Sequence, residues 1–405
     1  MKFLIIEQDL RVSGTSQGII SRSFLAKLRV SYPNAIIDVV YLKRNQSEDQ
    51  LHLLPVDSIQ TYVLNLKVPF FTRWLNKIYW RLFHVSLKER YVENVFKSYI
   101  SKIDHNGYDH IFIRSAGLDH ESILGARDLP ILKKAIVNFH DPYPLFWYAG
   151  TDAKLSYLEL FKLKKMEAVV LQAKACMSSA RLMSQDMQYL YGSRKKFYHL
   201  PHQYDETVFD LSDKKNVFTK AKKITICYHG AIQFGRDVVK LLEAYKVLVL
   251  GNTQYKDTTE FILRLKKQAD IDYLARRYAG IDNIKVLGPA NFSNAAYEQI
   301  HLADINIILE NGPLYCNILV GKAPFLASFN KPVLAISPER SEMRGIIKND
   351  QYIANAHDDQ DIKYKLEQLI LDRLNTNASV YPFGDYFSDA HFKHLLDKVL
   401  MATKK

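Results

Sequence analysis

KITICYHGAIQFGRDVVKLLEA, residues 223–244, is the stretch whose reading decides the fold. Ile224 to Cys227 are apolar or β-branched without alternation, which suits a strand covered on both faces, as in a parallel sheet. Gly230 and Gly235 then let the chain turn sharply, and an apolar helical period starts near Asp237. Arg236 stands at the helix entrance, where orphan backbone N–H groups and the positive helix end favour an anion. A guanidinium there would complete a diphosphate cradle. An ordinary β-α turn with a solvated arginine fits the same residues, and this segment alone leaves both readings open.

The same alternation of apolar strands and amphipathic helices runs along the whole chain. KFLIIEQ, AIIDVVYL, DHIFIRS, AIVNFHD, ACMSSA and KFYHLP precede the quoted stretch, with a helix expected around Ile19 to Val30; EFILRL, IKVLG, INIILE and KPVLAIS follow it. This predicts the α/β class, with two Rossmann-like doubly wound domains facing across a cleft. Between the halves, YDETVFDLSDKKNVFTKAKK is polar, lysine-rich and without sustained period. We expect an N-terminal domain over 1–205, a linker over 206–222, a C-terminal domain over 223–381, and a final helix within 382–405 that crosses back to the first domain. Open α/β sheets bind ligands at the carboxyl ends of their strands, so the cleft is the expected site.

Length and composition narrow the classes. A chain of 405 residues with 48% hydrophobic and 24% charged residues has the make-up of a globular protein of two domains rather than a disordered one. Cys176, Cys227 and Cys316 are far apart with no partner at metal-ligand spacing, which points to a reducing compartment and no structural zinc. MKFLIIEQDL reads as a first strand rather than a signal peptide, and no stretch approaches the roughly 20 apolar residues of a membrane span. The expected location is cytoplasmic, with any membrane contact peripheral. A formal net charge of +12 calls for anionic partners; without a zinc finger, helix-turn-helix or RNP signature, nucleic acid is not expected among them.

VPFFTRWLNKIYWRLFHVSLKERY, residues 68–91, interleaves aromatics with Arg73, Lys77, Arg81, Lys88 and Arg90. In helical register this sets an apolar face beside a basic one, the composition of a segment resting on an anionic membrane. A core-facing helix with an exposed basic side fits it equally.

Taken together, these residues resemble the GT-B fold glycosyltransferases, above all the retaining, nucleotide-sugar-dependent group of family 4 type found in bacterial surface-polysaccharide synthesis. Gly230, Arg236 and Leu241 to Ala244 match the opening of that group's second domain, and the resemblance implies that Arg236, with Gly230 and Gly235, meets the donor diphosphate. IKVLGPANFSNAAYEQIHLADINIILE matches at Gly288, Ala303 and Asp304 the segment leading to the donor pocket. In GKAPFLASFNKPVLAISP, Gly321 and Lys322 stand for a serine-lysine pair at a helix start and Lys331 and Pro332 for the next strand's start, which implies a phosphate role for Lys322. In the first half, SGTSQG supplies Gly14, Thr15, Ser16 and Gly18 where the family has its donor and acceptor loop. FHDPYP places His140 and Asp141 where the family's histidine contacts the donor sugar; a packing histidine and a capping aspartate are the alternative. Ser178 and Ser179 are read as caps of the following helix.

The chain departs from the family at one place. Asn317 and Phe325 occupy the positions of its glutamate pair, so Glu310 and Glu342 are the candidate substitutes for the ribose contact. The resemblance implies transfer of a sugar from a nucleotide-diphosphate donor to a glycan or polyprenyl-linked acceptor, with cations and helix N-termini stabilising the departing diphosphate, and no metal or other cofactor. A nucleotide-sugar epimerase of the same fold and a catalytically degenerate binding protein are the competing readings.

Overall fold

The computed structural model describes residues 1–403 apart from 45, 48, 145–153, 193 and 313. The described residues up to Val208 form one compact unit together with those from Ser388 onward, and Phe209–Phe387 form a second.

In the first unit seven strands, β1 (Lys2–Glu7), β2 (Ile36–Lys43), β3 (Ser58–Val63), β4 (His110–Arg114), β5 (Ala135–Phe139), β6 (Ala175–Ser178) and β7 (Phe197–His199), pair in the order β3-β2-β1-β4-β5-β6-β7. Every pairing is parallel. Helices α1 (Ser16–Ser31), α2 (Phe70–Phe83), α3 (Leu87–Ile100), α4 (Glu121–Gly125), α5 (Tyr157–Gln172) and α6 (Arg181–Leu190) connect them. β4, β5 and β6 are buried along their whole length, as unalternating apolar runs require.

The second unit contains β8 (Ile224–Gly230), β9 (Thr259–Leu265), β10 (Ile284–Leu287), β11 (Ile305–Leu309), β12 (Tyr315–Cys316), β13 (Val333–Ser337), β14 (Arg340–Ser341) and β15 (Ile353–Asn355). Six of them form a parallel sheet in the order β10-β9-β8-β11-β13-β15, while β12 and β14 make a small ladder of their own. Its helices are α7 (Val238–Gly251), α8 (Thr253–Thr258), α9 (Gln268–Arg277), α10 (Phe292–Tyr297), α11 (Ala323–Ala327), α12 (Glu342–Ile346) and α13 (Asp359–Asn375). Strand order thus reverses between β1 and β4 in the first sheet and between β8 and β11 in the second. At such switch points neighbouring crossovers leave on opposite faces and open a crevice at the strand ends.

The last helix, α14 (Asp389–Ala402), belongs to the first unit. It buries Phe392, Leu395, Leu396, Val399 and Leu400. Against α1, the Phe392 ring meets Phe24 at 6.2 Å and Asp389 pairs with Lys27 at 2.7 Å.

The expected linker is no loose tether. Val208, Phe209 and Phe218 in it are buried, the Val208 carbonyl accepts from the buried Arg22 guanidinium at 3.0 and 2.6 Å, and the Phe218 N–H donates to Glu298 at 2.8 Å. Its polar composition hid these anchors. Among the described residues no helix is long and apolar enough to cross a membrane.

Candidate functional site

In the second unit the quoted stretch forms β8, a tight turn and α7. The two glycines act differently. Gly235 has φ +80°, a left-handed conformation that side chains resist, and so makes the turn. Gly230 instead clears space: a Cβ on it would lie 2.9 Å from Lys322 Nζ and 3.0 Å from Tyr228 Oη. The turn carries Arg236 back toward the end of β11, where Nε donates to Asn311 Oδ1 at 2.8 Å and Nη1 to the Ala231 carbonyl at 3.2 Å. The Lys322 ammonium donates to the His229 carbonyl and lies 4.7 Å from the centre of the Tyr228 ring.

Arg236 and Lys322 are therefore gathered at the β8/β11 switch point. Burial, and after it the Arg236 charge, push the Lys322 pKa down to about 7. Among the described ion pairs none takes either cation: the partners are an amide, backbone carbonyls and an aromatic face. Two neighbouring cationic side chains without a carboxylate could hold a doubly charged anion, which makes them the candidate cradle.

Two sequence arguments for this cradle need correction. The α7 entrance is not open, because the Asp237 carboxylate caps it, accepting from Val239 N at 3.0 Å and Lys240 N at 3.1 Å. Lys322 precedes a helix of only five residues, α11, too short to carry much of a dipole. The cradle rests on side-chain charge rather than on helix ends.

At the β1/β4 switch point of the first unit, Glu7 ends β1 and Arg114 ends β4. Arg114 Nη1 donates to Glu7 Oε1 at 2.6 Å, and its guanidinium stacks 3.8 Å from the Phe24 ring centre. Burial raises the Glu7 pKa to about 7 although Arg114 opposes the rise. Arg114 Nη2 sits 2.9 Å from His140 Nε2. Because arginine only donates, Nε2 must accept, and the ring proton stays on Nδ1. Burial first, then the Arg114 charge, hold the His140 pKa well below its ordinary 6.5, so the ring is neutral. Nδ1 is buried and has no partner among the described residues, leaving one donor unspent. Asp141 follows half-buried, its backbone carbonyl accepting from His120 Nε2 at 3.0 Å.

Other expected residues fall elsewhere. Thr15 caps α1, its hydroxyl accepting from Gln17 N at 3.1 Å, and Ser16 is the first helical residue. Gly14 makes a left-handed turn at φ +77°. Gly18 does not clear room for a ligand: a Cβ there would lie 2.1 Å from the Arg11 carbonyl oxygen, so the chain's own backbone fills the space. Ser178 and Ser179 do not cap α6. Its N-cap is Ala180, while Ser179 Oγ donates to the His140 carbonyl at 3.2 Å and so buttresses that residue. Glu310 and Glu342 are both buried. Glu310 lies near Ser337, Ser341 and Cys316, and burial raises its pKa to about 7. Glu342 opens α12. Among the described residues no three His, Cys, Asp or Glu side chains converge as a metal site.

Sequence reading passed over Glu7, Arg114, Tyr228 and Asn311. All four sit in or just beyond the last residues of apolar strands, and a charged or amide group closing a strand such as HIFIR was the available signal.

No family model and no curated protein sequence matches the chain. Solved structures do match it along its length. The trehalose-6-phosphate phosphatase N-terminal domain of Candida albicans superposes with TM-score 0.64 at 11% identity, covering 100% of this chain and 97% of that one. The lipopolysaccharide outer core galactosyltransferase WaaB gives 0.58 at 14%, covering 100% of each chain. A UDP-N-acetylglucosamine 2-epimerase gives 0.53 at 12%, covering 99% and 96%. The fold is GT-B. At these identities the likeness extends to the fold alone, and the fold serves transferase and epimerase alike.

Proposed function

We propose that this chain is a glycosyltransferase that moves a sugar from a nucleotide-diphosphate donor to a glycan or polyprenyl-linked acceptor in cell-surface polysaccharide synthesis, with retention at the anomeric carbon. The observation that carries this reading is the Arg236–Lys322 pair, two cations at a switch point without a carboxylate between them. As the glycosidic bond to the donor phosphate breaks, negative charge grows on the departing diphosphate, and fixed cations in a water-poor site stabilise it without reorganising. His140 would add a neutral Nδ1–H to a sugar hydroxyl, its tautomer held by Arg114.

Calorimetry with UDP, GDP, TDP and ADP tests the donor half: at least one should bind, and Arg236→Ala should weaken it far more than it weakens the matching nucleoside. Silence from all four would favour a binding module without transferase activity. A nucleotide sugar incubated with the protein alone should stay unchanged; an epimeric product would replace the transferase reading with the epimerase one.

A further inference from the structure

We propose that α2, continued by the first turn of α5, seats this chain on an anionic lipid bilayer. The inference deepens the transferase reading by naming the surface that carries the acceptor, yet its physical argument uses no residue of the donor cradle.

No residue of α2 is buried. Its half-buried positions are Thr72, Asn76 and Tyr79, spaced four and three apart on one face. That face lies on α3, where Asn76 Oδ1 accepts from Leu87 N at 2.7 Å. The opposite face carries Phe70, Trp74, Ile78 and Leu82, exposed by 68, 52, 50 and 65%, with Phe71 and Leu75 beside them at 76 and 47%. At the end of the helix the His84 ring meets Tyr157 at 4.6 Å, and Tyr157, Leu160 and Phe161 on α5 extend the apolar surface. A contiguous patch of this kind is costly in water and marks an interaction surface.

The flanking charge selects the occupant. Arg73, Lys77 and Arg81 form a row four residues apart along one side of the apolar stripe. Between Asp57 and Glu89 the chain has no acidic residue but also carries Lys67 and Lys88. Anionic headgroups match that row, while a two-fold contact between copies would set the same cationic helix against itself. A helix of 14 residues is too short to span the apolar core and lies in the interface plane. Trp74 and Trp80 have the amphipathic rings that settle at headgroup depth.

Sedimentation with phosphatidylcholine vesicles, with and without phosphatidylglycerol, tests this on the full chain without nucleotide. The protein should pellet only with the anionic vesicles and be released by salt. Arg73→Glu with Lys77→Glu should weaken binding, each lost cation costing about fivefold. Trp74→Glu with Ile78→Glu should abolish it. Both pairs leave Thr72, Asn76 and Tyr79 in place, so an unchanged thermal midpoint shows that the helix stays docked. Lys322→Ala should weaken nucleoside diphosphate binding and keep vesicle binding, so the donor reading can fail without this one. Equal binding to neutral vesicles, no binding to either, or a lipid-free dimer dissolved by Trp74→Glu with Ile78→Glu would each overturn the proposal.

Discussion

The two switch points share a topology and differ in how their charges are balanced. At β1/β4 a carboxylate and a guanidinium close on one another across 2.6 Å, and among the described residues this cluster leaves two buried N–H groups without a partner, His140 Nδ1 and Arg114 Nε. At β8/β11 the buried acid, Glu310, sits among hydroxyls and a thiol, while Arg236 and Lys322 are matched only by neutral acceptors. One crevice pairs its charges within itself, and in the other the two cations face neutral groups. The strand order locates both crevices; which of them takes a charged ligand is decided by the few side chains that end the strands.

The largest expected effect tests that pairing. Arg114→Met leaves Glu7 buried without the cation that holds its pKa down to about 7, and should cost about 3–5 kcal/mol in denaturant unfolding at pH 9, where the parent's carboxyl is ionised, with partial recovery when Glu7→Gln is added. Glu310→Gln sharpens the contrast through pH. A carboxyl whose pKa rises from 4.5 to about 7 on folding lends stability in acid and loses it as pH climbs through that window. The parent should therefore be up to roughly 3 kcal/mol less stable at pH 8 than at pH 5 from this group, a slope the variant should flatten while matching the parent at pH 5.

Smaller is the loss of one cradle cation. Lys322→Ala should weaken nucleoside diphosphate binding by roughly 2 kcal/mol, about 30-fold, with nucleoside binding unchanged. Subtlest is a proton linkage at the same side chain. With the free Lys322 pKa at about 7 and an anion raising it, binding takes up a proton, and affinity should fall by at most about tenfold for each pH unit above 7. Calorimetry in buffers of differing ionisation enthalpy reads that uptake directly.

Much of the fold was legible because buried parallel strands write themselves as unbroken apolar runs. INIIL and VLAIS are buried at every residue. Of the four strands that escaped notice, β3 and β15 lie at sheet edges, where SIQTYV is largely exposed and IAN spans three residues, and β12 and β14 are two-residue strands that pair only with each other, so none needs an apolar run. In the candidate site, Arg236 and Lys322 were legible as single residues. Their partners were not, since Asn311 and Tyr228 look like ordinary strand-end residues until the sheet order sets β8 against β11. Gly18 misled because a glycine announces close approach without saying by what. The aromatic-basic segment stayed ambiguous in sequence for a related reason: an apolar stripe is the same whether a core or a bilayer covers it. Only the half-burial of Thr72, Asn76 and Tyr79 shows which side the protein uses.

The return of α14 has a consequence for biosynthesis. On a ribosome the second unit has all its residues before the first does, because the seat for Phe392 beside Phe24 waits empty until the final helix emerges. The first-made half is thus the last to be completed, and a chain stopped at residue 387 would leave the lining of that seat open to water and to chaperones.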